Sequence, residues 1–355
     1  MLNGGKDSSP LIEIDVGGEI QAVAFTANGD YVVGGGAKGL GVWRVEDGKP
    51  MAAMAARDVR CLGVSQDGRW IAAGTVDGDL SVWDTETFEK VFSHKDDHLI
   101  LAVDFSPDST RLVVGQNHHT GPSVWDVRTR KKVLTLEQGT TVAKYSPQGD
   151  RIATATPFSV RVCDSDDGHL LMHIPVKVTP SCNTGLLWLN DHLFLVSGST
   201  IKECEASTGS IVSEWSVLDT NATSSIALPQ HGKFIAYSAN RTVTFWDTST
   251  LAQLGVMQHT QIIYSIALSP DDRFLAIGGE SGKIAIKSLS RITVCIVFLW
   301  ILPGLNNFLV PLVFPNRIQS RCLVYIPPSR NLTFGSTTLR CIHGSTISSR
   351  MRTRY

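Results

Sequence analysis

The sequence lacks the short motifs by which many enzymes are identified. It has no CxxC pair, no HExxH metal motif, no GxSxG nucleophile turn and no glycine-rich loop between a strand and a helix. Its runs of glycine, at residues 34–36 and 278–279, follow predicted second strands of a repeat and are interpreted as turn glycines. No catalytic residue, metal or cofactor is therefore assigned, and we expect a protein that is not an enzyme.

Positive charge is scarce in the first four-fifths of the chain. Residues 1–290 carry 24 Lys and Arg against 33 Asp and Glu, a net charge of −9, whereas residues 291–355 carry eight arginines and no Lys, Asp or Glu. A nucleic-acid-binding domain is expected to present a basic face. An acidic folded part therefore argues against nucleic acid and leaves other proteins or peptides as the expected partners.

Targeting and disulfide signals are also missing. The N-terminal residues have no apolar core of the kind found in a secretory signal peptide, so none is expected. Among the seven cysteines, Cys61, Cys163 and Cys204 fall inside predicted strands, which suits buried free thiols in a reducing compartment. A cytoplasmic or nuclear location is expected.

A polar turn recurs about every 40 residues. The steps between successive turns are 39, 41, 40, 43, 40 and 40 residues, measured between the markers Gly29, Gly68, Ser109, Gly149, His192, Gly232 and Asp272. The positions four and six residues before each marker are apolar, which is the period-2 spacing of a strand. The positions three and four residues after it are both apolar, which predicts a strand buried on both faces. Seven repeats of stacked sheets are indicated.

The third strand of each repeat ends at a column rich in tryptophan, whose members are Trp43, Trp83, Trp125, Cys163, Cys204, Trp246 and Lys287. Three of the tryptophans are followed by aspartate, at Asp84, Asp126 and Asp247. Together with the hairpins Ser106–Asp108 and Ser269–Asp271 and with His259, this dipeptide resembles the WD-repeat family over residues 10–290.

The resemblance implies an all-β fold, a seven-bladed β-propeller of four-stranded antiparallel blades. It also implies a scaffold or adaptor that binds partners on the rim and face of the ring. The family's hydrogen-bonded set of Asp, His, Ser or Thr, and Trp is incomplete in every repeat. Repeat 7, for example, has His259 but Lys287 in place of tryptophan.

Each blade needs an outer strand after the tryptophan column. Six candidates follow the first six repeats, at Pro50–Ala55, Glu89–Ser93, Lys131–Leu136, Leu170–Ile174, Ile211–Trp215 and Gln253–Met257. No such segment follows Ser288, but residues 11–16 alternate apolar and acidic side chains ahead of the first repeat. We predict that this N-terminal strand pairs beside residues 283–289 and closes the ring, because an open edge strand would invite aggregation.

Residues 291–355 differ in composition from the repeats and are treated as a separate, atypical tail beyond a propeller of residues 1–290. They are interpreted as a disordered or non-native segment, such as translated intron or frame-shifted sequence. A membrane segment at residues 294–314 is the alternative, although Pro303, Gly304 and Pro311 interrupt that apolar run. This alternative would make the protein a membrane-tethered propeller.

Candidate partner-binding residues lie in the loops before first strands and between second and third strands. These loops share one rim of the predicted ring, and the candidates on it are Arg57, Arg60, Asp96, His98, His118, His119 and Arg241. The repeat 3 residues among them, with His94, could also converge as a divalent-metal site, and a metal-dependent propeller enzyme is the second alternative function. Solvated loop residues are the simpler interpretation.

Overall fold

The computed structural model describes residues 11–116, 121–137, 142–156, 158–176, 185–197, 200–217, 224–229 and 232–289, together with two short strands at 339–340 and 346–347. The chain divides into two units, Met1–Ile301 and Leu302–Tyr355. In the first unit every regular element of the described residues is a β-strand, and 28 strands form seven four-stranded antiparallel sheets. The predicted seven-bladed propeller is confirmed.

The sheets follow the repeats in order along the chain. After the first strand, β1 (Ile12–Asp15), blade 1 consists of β2 (Ile20–Phe25), β3 (Tyr31–Gly36), β4 (Gly39–Arg44) and β5 (Pro50–Met54). Blade 2 consists of β6 (Val59–Val64), β7 (Trp70–Thr75), β8 (Asp79–Asp84) and β9 (Lys90–Lys95). Blade 3 consists of β10 (Ile100–Phe105), β11 (Arg111–Gln116), β12 (Ser123–Asp126) and β13 (Lys131–Thr135).

The remaining blades repeat this order from the innermost strand to the outermost. Blade 4 consists of β14 (Val142–Tyr145), β15 (Arg151–Ala155), β16 (Val160–Asp164) and β17 (Leu170–Ile174). Blade 5 consists of β18 (Leu186–Leu189), β19 (His192–Ser197), β20 (Thr200–Glu205) and β21 (Ile211–Ser216). Blade 6 consists of β22 (Ser224–Ala227), β23 (Phe234–Ala239), β24 (Thr242–Asp247) and β25 (Gln253–Gln258).

Blade 7 is assembled from both ends of the repeat region. It takes β26 (Ile263–Leu268), β27 (Phe274–Gly279) and β28 (Lys283–Ser288) from the last repeat, and β1 pairs antiparallel with β28 with Ile12 opposite Ile286 and Asp15 opposite Lys283. The N-terminal strand therefore serves as the outer strand of the last blade. This pairing confirms the predicted closure.

The core lies between the blades. Seven clusters of buried apolar residues occupy the seven seams between neighbouring blades, including the seam between blade 7 and blade 1, where Ile14, Ile284 and Trp43 pack together. The second strands are buried on both faces, as Val32 and Val33 illustrate with no exposed surface. Burial of apolar surface at every seam is what holds the ring closed.

The polar turn between the first and second strands is held by a hydroxyl in blades 1, 2, 3, 4 and 7. In blade 3 the Ser106 Oγ accepts the backbone N–H of Arg111 at 2.9 Å and donates to the Asp108 carboxylate at 2.5 Å. The same pattern recurs at Thr26, Ser65, Ser146 and Ser269. The residues Ser, Asp and Asn recur in these turns because their side chains replace backbone hydrogen bonds there.

The aspartate after the tryptophan has a similar local role in the turn before the outer strand. The Asp126 carboxylate accepts the backbone N–H of Thr129 at 2.6 Å and its hydroxyl at 2.7 Å, and Asp84 and Asp247 do the same with Thr87 and Thr250. These hydrogen bonds to the charged carboxylate lower the pKa of Asp126 below its ordinary value. The dipeptide is thus a structural signal.

The second unit is described only by a two-stranded antiparallel sheet, β29 (Leu339–Arg340) and β30 (Thr346–Ile347). The remaining residues of the tail, including the candidate membrane segment 294–314, lie outside the described residues. Within the part of the chain that the structure describes, there is no helix long and apolar enough to cross a bilayer. The interpretation of residues 291–355 stays a prediction.

Candidate functional site

The loops that enter the first strands and those between second and third strands emerge at one end of the ring, which we call the upper rim. This placement follows from the antiparallel order of each blade. The described residues of the upper rim are 16–19, 37–38, 55–58, 76–78, 96–99, 121–122, 136–137, 156, 158–159, 175–176, 185, 217, 240–241, 259–262 and 280–282. The other end, formed by the hairpins between first and second strands and between third and fourth strands, is the lower rim.

Arg57 and Arg60 are three residues apart in the chain but lie in different settings. Arg57 is exposed in the loop between blades 1 and 2. Arg60 is the second residue of β6, the innermost strand of blade 2, and its guanidinium donates to the side-chain oxygen of Gln21 at 2.8 Å. Partial burial lowers the pKa of Arg60 from its ordinary value. Arg60 therefore joins blades 1 and 2 beside the channel while remaining half-exposed.

A β-bulge places these side chains at equivalent positions. The register of the innermost strand shifts at its second residue in blades 1, 2, 3 and 7, and the bulged residues are Gln21, Arg60, Leu101 and Tyr264. All four are partly exposed. Bulges commonly redirect side chains at the rims of closed sheets. Four different side chains from the adjacent blades 7, 1, 2 and 3 are thus presented at the upper end of the channel, and only Arg60 among them was predicted from the sequence.

The repeat 3 cluster is organised around Asp96. Its carboxylate accepts the side-chain amide of Gln116 at 2.6 Å and the backbone N–H of His98 at 3.1 Å, and it lies 3.5 Å from His98 Nδ1. The backbone around Asp96 packs on Gly78, where an added Cβ would lie 2.3 Å from the Asp96 carbonyl oxygen. Asp96 thereby fixes the shape of the loop and also contributes charge to the upper rim.

His94 belongs to a different environment. The outer strand of blade 2 extends to Lys95, two residues beyond the predicted end, and places His94 opposite Leu80. The His94 ring packs against the indole of Trp125 with centroids 4.6 Å apart. The sequence predicted His94 beside the other polar residues of repeat 3. Its ring lies instead at the seam between blades 2 and 3, in contact with Trp125.

His118 and His119 lie outside the described residues, so their part in the site stays a prediction. Among the residues that the structure does describe, no group of three or more His, Cys, Asp or Glu side chains is arranged to hold a metal ion. Arg241 is exposed in the turn between β23 and β24, and its carbonyl accepts the backbone N–H of His259 at 2.7 Å. Arg241 therefore lies on the upper rim between blades 6 and 7.

The described turns of the upper rim carry a net negative charge. Its described turns contain seven acidic residues, Glu19, Asp58, Asp77, Asp96, Asp97, Glu137 and Glu280, and three basic ones, Lys38, Arg57 and Arg241. An acidic surface repels the phosphate backbone of nucleic acid and attracts basic protein surfaces.

Asp104 and Lys144 form an ion pair on the inner wall that the sequence analysis missed. Their side chains lie 2.7 Å apart on the innermost strands of blades 3 and 4, each about one-quarter exposed. The two residues are 40 positions apart, one repeat length, and occupy the same column. Comparing opposite charges within one repeat column would have found the pair.

Comparison with known proteins agrees with the propeller geometry. The family model "WD domain, G-beta repeat" matches residues 48–84 and 252–286. The second match ends at Ile286, immediately before Lys287, where other repeats carry tryptophan.

Three curated relatives share parts of the chain. WD repeat-containing protein 1 of Mus musculus is 35% identical over 91 residues, which is 24% of this chain and 15% of the relative. The U3 small nucleolar RNA-associated protein 15 homolog of Xenopus laevis is 24% identical over 36% of this chain and 24% of the relative. The transcriptional corepressor LEUNIG_HOMOLOG of Arabidopsis thaliana is 20% identical over 61% of this chain and 28% of the relative. The chain spans between about one-seventh and about three-tenths of these relatives.

Proposed function

Because this chain belongs to the WD-repeat β-propellers, we propose that it is a non-enzymatic interaction platform whose upper rim binds other proteins. The observation that carries the proposal is the upper rim itself. The described loops of the rim carry seven acidic residues against three basic ones, and a ring of seven blades holds these loops in place. Binding residues are often found on loops positioned by such a scaffold. Cytoplasm or nucleus is the proposed location, which the buried free thiols of Cys61, Cys163 and Cys204 support.

The charge of the upper rim favours a partner with a basic surface. Electrostatic complementarity raises the association rate and excludes partners of like charge. Three arginines lie among these acidic residues of the upper rim, namely Arg57, Arg60 and Arg241. They are proposed as the points where a partner's carboxylates or carbonyls bind. Asp96, His98, His118 and His119 are proposed as contacts from the neighbouring blade. Nucleic acid is not an expected ligand.

The test is affinity capture with the full chain from a cell lysate, followed by direct binding to the captured protein. Asp77 and Asp97 are exposed on the upper rim of blades 2 and 3, so a double variant with Asp77→Lys and Asp97→Lys is expected to lose the partner. Glu46 and Glu86 are exposed in equivalent turns of the lower rim. A matched variant with Glu46→Lys and Glu86→Lys carries the same charge change and is expected to retain the partner.

Equal recovery with both variants would contradict upper-rim binding. A second measurement addresses the class of partner. The full chain is expected to leave double-stranded DNA and RNA unshifted in a gel at physiological salt, and a stable complex with either nucleic acid would contradict a protein-binding role for the acidic rim.

A further inference from the structure

Blade 3 differs from its neighbours in the charge of its lower-rim turn and outer strand. At the turn position where blade 3 has Arg128, blades 1, 2 and 4 carry acidic residues, namely Glu46, Glu86 and Asp166. Four exposed basic residues occur within five positions of blade 3, and an exposed valine follows them. We call this set the basic edge, and its members are Arg128, Arg130, Lys131, Lys132 and Val133.

The positive charges of the basic edge are not neutralised by the described part of the chain. The ion pairs found there use other Arg and Lys side chains. Asp126 is the acidic residue of the same turn, and one oxygen of its carboxylate already accepts the N–H and the hydroxyl of Thr129. Residues 126–132 therefore carry four positive charges against one negative, a net charge of +3.

Arg130 has a backbone conformation that usually belongs to glycine. Its φ is 60°, and its N–H closes the turn by donating to the carbonyl of Asp126 at 2.8 Å. The equivalent residues of blades 1, 4 and 5 are glycines with positive φ, namely Gly48, Gly168 and Gly209. Those of blades 2 and 6, Phe88 and Leu251, pack on buried apolar clusters. Arg130 is exposed instead, so burial against the neighbouring blade does not offset its strain.

The outer strand that carries the basic edge is open on one side. β13 is the last strand in the order β10-β11-β12-β13, so among the described residues its outward N–H and C=O groups have no partner strand. An open edge can accept an added extended strand. Lysines on an edge discourage pairing with a strand of like charge, but they favour a strand that carries carboxylates.

The ring already contains one pairing of this kind. At the outer edge of blade 7, β1 carries Glu13 and Asp15 between apolar residues and pairs with β28, where Glu13 forms an ion pair with Lys283. This strand comes from the other end of the repeat region, whereas a hairpin supplies the outer strand of each other blade. An edge of this propeller thus accepts an extended acidic segment beside lysine.

We propose that the basic edge binds an extended acidic segment of another protein, which adds to blade 3 as a fifth strand beyond β13. Backbone hydrogen bonds to β13 hold the segment, and its carboxylates pair with the four basic side chains. Val133, which is 52% exposed, contacts an apolar side chain of the segment. The open edge favours a peptide over a phospholipid, because a lipid head group has no backbone with which to pair.

The probe is a pair of fluorescently labelled peptides, acetyl-Glu-Thr-Glu-Val-Glu-Thr-Glu amide and the same peptide with glutamine in place of glutamate. Each is titrated into the full chain at low ionic strength. We expect the glutamate peptide to bind at least about tenfold more tightly, a difference of about 1.4 kcal/mol, and the preference to shrink as salt is added. Equal affinity for the two peptides would overturn the proposal.

A third peptide tests the pairing with the edge. It keeps the glutamate sequence, but its backbone nitrogens are methylated, so it retains the charges and cannot donate hydrogen bonds to β13. We expect it to bind at least about tenfold more weakly than the unmodified glutamate peptide. Equal affinity of the methylated and unmodified peptides would overturn the assignment to an added strand.

Two variants locate the site. Arg130→Gly removes one charge at a position where three other blades have glycine, so it is expected to raise the melting temperature. It is also expected to weaken binding of the glutamate peptide by about two- to fivefold. The double variant with Lys131→Gln and Lys132→Gln removes two charges and is expected to weaken this binding by at least about fivefold.

The matched control is a double variant with Lys49→Gln and Lys90→Gln. These exposed lysines occupy the same two sequence columns in blades 1 and 2, and the control is expected to keep the full affinity for the glutamate peptide. Unchanged affinity in both basic-edge variants, or a loss of the same size in the control, would overturn the assignment to the basic edge.

Flotation with vesicles of phosphatidylserine and phosphatidylcholine addresses the class of partner. The full chain is expected not to float with them. Vesicle binding that is lost in the variant with Lys131→Gln and Lys132→Gln would overturn the assignment to a peptide. Loss of the upper-rim partner in the Asp77→Lys and Asp97→Lys variant is independent of these results, because neither residue belongs to the turn and outer strand of blade 3.

Discussion

The carboxylate of Asp104 in blade 3 lies 2.7 Å from the ammonium of Lys144 in blade 4. Its other oxygen accepts the backbone N–H of Tyr145 at 2.8 Å. One carboxylate thus makes two charge-assisted hydrogen bonds to the next innermost strand, at a place where about one-quarter of each side chain is exposed. Asp104 connects blades 3 and 4 at the channel wall.

Replacing Asp104 by Asn is expected to lower the free energy of unfolding by about 1–3 kcal/mol, because Lys144 loses its counter-charge in a partly buried setting. The measurement is urea denaturation at neutral pH. Asp166→Asn is the control. Asp166 pairs with Arg111 at 2.8 Å across the same seam between blades 3 and 4, but its side chain is 82% exposed. Removing this charge is therefore expected to lower the free energy of unfolding by less than about 1 kcal/mol. Equal losses in the two variants would contradict the role of burial.

Much of the fold could be predicted because the same local sequence pattern recurs in each repeat. The polar turns, the paired apolar columns and the alternation in residues 11–16 each depend on neighbours within one strand or hairpin. The family model covers only two segments, yet the columns around Ile152 and Leu195 continue through blades 4 and 5, which lack a Trp-Asp dipeptide. Both residues are fully buried.

The cavity at the seam between blades 6 and 7 could not be predicted in the same way. Its lining residues Gln258 and Lys287 are 29 positions apart and belong to different blades, and its shape depends on which face of each strand points into the seam. The contact of His94 with Trp125 has the same origin, because it joins an outer strand to the third strand of the next blade. Sequence columns identify positions within a blade, whereas these contacts are set by how two blades pack.

A pair of glycine substitutions tests the open space at the seam between blades 6 and 7. Gly255→Ala is expected to raise the free energy of unfolding by about 0.4–1 kcal/mol, because the added methyl meets no atom within 4 Å and reduces the freedom of the unfolded chain. Gly36→Ala is the control. A Cβ there would lie 1.8 Å from the carbonyl oxygen of Glu19, so we expect a loss of about 1–3 kcal/mol. A destabilised Gly255→Ala variant would contradict the open space.

The turn aspartates predict the acid sensitivity of the ring. Hydrogen bonds from Thr129 to Asp126 hold the pKa of that carboxyl below the value of 3.8 expected when the chain is unfolded. Stability from this group is therefore complete above pH 3.8 and is lost as the pH falls through the lower, folded pKa. The urea midpoint is expected to stay level from about pH 7 to pH 5 and to fall in more acidic buffer.

Asp126→Asn is the matched variant, since it keeps the shape of the side chain but does not titrate. Its urea midpoint is expected to be lower than that of the unchanged protein at about pH 7, and the difference is expected to shrink as the pH falls below 3.8. Asp84, Asp108, Asp150, Asp191 and Asp247 have lowered pKa values as well, so acid lability persists in the variant. A constant difference at every pH would show that Asp126 contributes no titrating stability.

The buried thiol of Cys61 provides a local probe of the closed ring. Cys61 lies on the innermost strand of blade 2, is 3% exposed, and its Sγ donates to the carbonyl of Ile100 in blade 3 at 3.8 Å. Burial raises the pKa of this thiol from 9.0 to about 12, so its thiolate fraction at mildly alkaline pH falls about 1000-fold, tenfold for each pKa unit. Because the thiolate is the form that alkylates, Cys61 is expected to resist iodoacetamide in the native protein and to react readily in urea.

Peptide mapping by mass spectrometry follows Cys61 separately from the other cysteines. Cys204 is the internal comparison, because it is also buried but its pKa is raised only to about 11. We expect Cys204 to be alkylated faster than Cys61 in the native protein, by up to about tenfold for a difference of one pKa unit, and the two rates to become similar in urea. Rapid labelling of Cys61 without denaturant would mean that blades 2 and 3 separate at the channel, since no reagent reaches this thiol while their innermost strands stay packed together.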